Sequence, residues 1–69
     1  MAPMQMSPGD RVVFERLDVA EALDIWRHAT GRVVEAHAES GHAATVDVKF
    51  DGHETLHGYL ATLFRKRPH

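Results

Sequence analysis

With 69 residues and no cysteine, the chain reads as one small domain that does without disulfides or thiolate metal sites, which fits a reducing compartment. Eight basic against ten acidic side chains leave a formal charge of -2, which argues against a mainly electrostatic grip of the whole surface on nucleic acid or membrane. No apolar run approaches the roughly 20 residues of a spanning helix, and Met1 to Met6 lacks the charged start and apolar core of a signal peptide, so a soluble, cytoplasmic protein is expected.

Residues 1–7 have no period and read as a flexible arm, 8–67 as a single domain and 68–69 as a tail. Pro8-Gly9-Asp10 is a turn, and the run RVVFER behind it is strand one, with Val12 and Phe14 on one face and Arg11, Val13 and Glu15 on the other. The period then changes. Val19, Ala22, Leu23 and Trp26 stand at i, i+3, i+4 and i+7, Asp18 is placed to cap, Glu21 completes a capping box and Gly31 is placed to end the segment. This spacing predicts a helix of about ten residues within Leu17–Thr30, with an irregular loop as the alternative and Trp26 as packing anchor in either case.

Gly31 to Ala38 is strand two. Its Val34, Ala36 and Ala38 face is expected to lie against a bulky neighbour such as Trp26 or Phe14, and Val33, Glu35 and His37 form the other face. Ser40-Gly41 marks a turn. In strand three Val46, Val48 and Phe50 alternate with Thr45, Asp47 and Lys49, and Asp51-Gly52 then reverses the chain. A slip of one residue inverts every side chain of a strand. Burial therefore selects an odd-length loop, read as three residues with Gly52 in the left-handed position, which puts Val46, Val48, Leu56 and Leu60 on one face. Gly58 marks a bend in strand four, Ala61 to Phe64 a helical turn and Arg65 to Arg67 the last strand.

The order GDRVVF, a variable segment with a tryptophan, GRVVEA, ATVDVKFDG and ETLHGYLATLFRKR resembles the small Src-homology-3-like barrels. Nearest are the electron-transport accessory chains: the peripheral photosystem subunit, the variable chain of ferredoxin-thioredoxin reductase and the nitrile hydratase β-subunit domain. The resemblance covers roughly Pro8 to Arg67. It implies a mainly β fold, a small five-stranded Src-homology-3-like barrel with one short helical insertion between strands one and two. It also implies a non-catalytic accessory module that docks on a larger protein partner.

On that reading Trp26, Tyr59 and His57 are the candidate partner-binding residues, since aromatic side chains dominate binding hot spots. The alternative is a nucleic-acid-binding barrel that uses Arg65, Lys66 and Arg67, with Phe64 and Tyr59 as stacking surfaces. The C-terminal fifteen residues hold no acid, whereas every acidic residue lies between Asp10 and Glu54. A second alternative is the pore-type plasmid-borne dihydrofolate reductases, which the GDRV opening resembles. Of their Val-Gln-Ile-Tyr motif only Tyr59 is matched.

No catalytic residue, cofactor or metal site is expected. Ser7 and Ser40 lack a nucleophile's surroundings, and Asp47 and Asp51 read as outward strand and turn residues. Of the six histidines, His53 and His57 would lie about 13 Å apart on a strand, and His37 and His42 flank the Ser40-Gly41 turn. His57 is expected across the strand pair from Asp47 or Thr45. In a chain this short, whose unfolded surface is only about 60% buried on folding, a homo-oligomer would add stability.

Overall fold

Alternation of side chains produces five strands, which the computed structural model describes within residues 6–38 and 41–67. They are β1 (Arg11–Phe14), β2 (Gly31–His37), β3 (Thr45–Phe50), β4 (Leu56–Leu60) and β5 (Phe64–Lys66), with a six-residue helix α1 (Leu17–Ala22) after β1 and a single 3-10 turn (Ala61–Leu63) before β5. All pair antiparallel in one sheet of order β4-β3-β2-β1-β5. The protein is therefore mainly β, with one short helical piece between the first two strands, and β4 and β5 form the sheet's edges. None of the described helices is long and apolar enough to cross a membrane.

The inner face carries Val12, Phe14, Val33, Val46, Val48, Phe50 and Phe64, all buried, with Met6, Ala20 and Ile25 closing over them. Phe14 stacks on Phe50 at 5.0 Å between ring centres and meets Phe64 at 5.1 Å, so the three rings tie β1, β3 and β5 together. Aromatic pairs at such spacing add to the stability that burial of their area provides. Gly31 stands opposite Phe50 where β2 pairs with β3. A Cβ there would stand 2.7 Å from Val48 Cγ1 and 2.8 Å from Phe50 Cζ, so the glycine lets the two strands carry their large side chains inward.

The helix is shorter than its apolar spacing predicts. It begins at Leu17, with Arg16 at the N-cap position and Asp18 inside the first turn, where its carboxylate holds Arg16 at 2.7 Å. The chain leaves α1 through Asp24, in the left-handed region at φ 57°, and the Ile25 N–H returns to the Ala20 carbonyl at 3.0 Å. That reversal takes the following residues off the helical period. Ile25 turns into the core, 5% exposed, while Trp26, expected as the anchor, is 69% exposed.

Two bulges account for the other differences. In β2 the pairing shifts between Val33 and Glu35, so Val33, not Val34, is the core residue, and the expected inward face of Val34, Ala36 and Ala38 is exposed. In β4 the pairing shifts between the partners of Val46 and Val48, at His57-Gly58. Val46 then faces Tyr59 and Val48 faces Leu56, whereas Leu60 pairs with Thr45 on the opposite side. The shared interior expected for Val46, Val48, Leu56 and Leu60 thus holds for the first three. The turn 51–55 is odd in length as expected but has five residues in place of three, with Gly52 in the left-handed region at φ 81°.

The ends also differ slightly. Ahead of Pro8, Met6 packs in the core and the Ser7 N–H donates to Asp10 Oδ2 at 2.8 Å. The last strand starts one residue early, at Phe64. Residues 1–5 of the expected arm, Ser40 of the expected turn and the tail 68–69 lie outside the described residues.

Candidate functional site on the outer face of the sheet

With the inner face filled by apolar side chains, the outer face carries the chemistry. The ladders place Arg11 opposite Arg32 and Arg32 opposite Lys49, and the Arg67 N–H donates to the Arg11 carbonyl at 2.9 Å. Arg67, Arg11, Arg32 and Lys49 thus form a transverse row that spans about 14 Å at ordinary strand spacing. Like charges set directly opposite each other destabilise a sheet. None of the four has an ion pair among the described residues, where Asp18 pairs with Arg16, Glu15 with Arg65, Asp10 with Lys66 and Asp47 with two histidines. The Arg67 guanidinium is steered instead by the Thr30 hydroxyl at 2.6 Å, and the Lys49 ammonium by the His53 carbonyl.

The row lines a groove of about 520 Å3 whose one acidic side chain among the described residues is Asp51. A second depression of about 260 Å3, lined in part by Val13, Arg27, His28 and Arg65, lies against β1 and β5. Together the two hold six of the eight lysines and arginines but only Glu15 and Asp51 of the nine acids among the described residues. A chain of net charge -2 therefore segregates its cations onto one side. That side can hold an anion with several phosphate-like or carboxylate groups.

Two positions along β3 from Lys49, the same face changes sign. Asp47 is 8% exposed, and its Oδ1 accepts the Gly58 N–H at 2.8 Å. Its Oδ2 lies 3.3 Å from His37 Nε2 and 3.6 Å from His57 Nδ1. The Glu35 carboxylate joins His37 and Asp47, with one ligand atom from each lying within 4.8 Å of the others. The Gly58 N–H, with help from the two imidazoles, holds the Asp47 carboxyl below its ordinary value against the opposite push of burial.

The residues singled out in the sequence separate into different surroundings. Trp26 stands outward in the turn 26–29, edge-on to His28 at 5.3 Å. Tyr59 is half-buried against the core, and His57 reaches across to Asp47 as expected. In the basic tail, Arg65 and Arg67 do lie on the cationic side, whereas Lys66 is held by Asp10 at 3.3 Å. Phe64 offers no stacking surface because it is buried. Sequence reasoning missed Arg11, Arg32 and Lys49 as one group: Arg11 and Lys49 stand at outward positions of their strands, but Arg32 has the parity of Val34 and Ala36, the face expected to pack against a bulky neighbour.

No family model matches the chain, and neither a curated protein nor a solved structure matches it.

Proposed function

We propose that this chain is a non-catalytic binding module whose cationic sheet face holds a single-stranded nucleic acid by its phosphates. The observation that carries the reading is the row of Arg67, Arg11, Arg32 and Lys49 across four strands, without an ion pair among the described residues and kept despite the repulsion between neighbours. Phosphate contacts of this kind position a strand without reading its sequence. Trp26, exposed in the turn that leads to Thr30 at the groove, supplies an aromatic platform of the sort on which bases stack. The strand order β4-β3-β2-β1-β5 and the short turn before β5 support reading the sheet as a partly open Src-homology-3-like barrel, although such a fold does not itself select a ligand.

The test is fluorescence anisotropy of a labelled single-stranded oligonucleotide over a range of salt concentrations. With about four phosphates neutralised, log K should fall against log salt with a slope of about -3, and the Arg11→Gln/Arg32→Gln double variant should flatten that slope by about 1.4. Binding that salt does not weaken, or that the double variant leaves intact, overturns the reading.

The 69% exposure of Trp26 favours a second reading, an accessory module docked on a larger protein through that side chain. It predicts a host partner that is retained by the parent chain at high salt and released by Trp26→Ala.

A further inference from the structure

We infer that Glu35, His37 and Asp47 form a binding site for one divalent transition-metal ion of the zinc class, with His57, whose exposed ring has Nδ1 3.6 Å from Asp47 Oδ2, turning in as the fourth donor when the ion binds. Imidazole and carboxylate donors together suit zinc and its neighbours better than magnesium or calcium, which prefer oxygen alone. Two of the donor separations have the size that coordination to a shared ion requires. Donors held about 2.1 Å from a tetrahedral ion stand about 3.4 Å from one another, and Asp47 Oδ2 lies 3.3 Å from His37 Nε2 and 3.6 Å from His57 Nδ1. A charge-assisted imidazolium–carboxylate hydrogen bond would be shorter, about 2.7–2.9 Å.

The backbone completes the case. The bulge at His57-Gly58 turns the Gly58 N–H onto Asp47 Oδ1, which fixes the carboxylate and leaves Oδ2 for the ion, the part that an outer hydrogen bond plays at metal sites. The bulge in β2 brings Glu35 opposite Asp47, so two carboxylates share the place. The nearest cation along β3, Lys49, is directed to the His53 carbonyl. An ion bound there would relieve the repulsion between the two acids and join β2, β3 and β4 on their outer side.

The experiment uses the full chain without a histidine tag, stripped with a chelator and titrated with zinc by calorimetry, and with cobalt by visible absorption. The expected result is one equivalent per chain with the intense visible bands of tetrahedral cobalt. His37→Gln and His57→Gln should each weaken binding by about tenfold or more, whereas His28→Gln and His42→Gln should leave it unchanged. The His57 side chain is 76% exposed, so its variant folds, as circular dichroism would verify. The absence of saturable binding, a six-coordinate cobalt spectrum, or equal losses in the His28 and His42 variants would overturn the site.

Discussion

The carboxylate of Asp47 accepts the backbone N–H of Gly58, eleven residues further along the chain, at 2.8 Å. A side chain in the middle of one strand thus supplies the acceptor that the ladder lacks where the next strand bulges. Replacing Asp47 by alanine leaves that N–H without its partner and should lower the melting temperature by about 5 °C or more. Asp47→Asn keeps an acceptor and should recover most of the loss. Equal melting temperatures for the two variants would mean that the bulge stands without this bond.

Ile25 and Trp26 are adjacent and have opposite fates. Truncating Ile25 to alanine should cost about 2–4 kcal/mol, a large part of a small domain's stability. Trp26→Ala should change stability by no more than about 0.5 kcal/mol. Urea denaturation of the two variants measures both, and the reverse ranking would restore the tryptophan as anchor.

At Gly31 the smallest possible addition is predicted to harm. The new methyl of Gly31→Ala would press on Val48 and Phe50, both fully buried and without room to withdraw, at a cost of about 1–3 kcal/mol. Urea denaturation should show the midpoint fall with an unchanged slope.

Arg32→Glu separates stability from binding. An anion between Arg11 and Lys49 replaces two repulsive neighbours with attractive ones and should raise stability by about 0.3–1 kcal/mol. The same change should abolish oligonucleotide binding at moderate salt. A variant that lost stability along with binding would show that the row is structural.

The strands were legible because Val12 and Phe14, and Val46, Val48 and Phe50, alternate with polar residues at the two-residue period of a sheet. The order of the elements and the helical piece after β1 followed from the same patterns and from turn residues. Val33 and Val34 could not be told apart, since both are valine and the bulge that selects Val33 arises from pairing with β3. The exposure of Trp26 turns on the single left-handed residue Asp24, which a count of apolar positions does not register. Only the His57–Asp47 contact of the carboxylate–histidine group was foreseen, because Glu35 and His37 reach it by a register set across another strand pair.

Arg16 and Asp18 yield a prediction about pH. The Arg16 guanidinium, foremost by hydrogen bonding, holds the Asp18 carboxyl below its ordinary value of 3.8. Because the folded value is the lower one, the stabilisation is present above the unfolded value and is lost as pH falls through the folded one. Both side chains are exposed, so Arg16→Gln should move the carboxyl titration upward, read by NMR, with almost no change in melting temperature.

The sheet's outermost strands bear on how the molecule behaves when concentrated. An unpaired strand is a template on which another chain can polymerise. β5 is three residues long, carries Arg65 and Lys66 and is followed by Arg67, while β4 is broken by the kink at Gly58. Neither margin offers a straight, neutral stretch for a further copy to zip onto, so the protein should resist fibril growth even at millimolar levels.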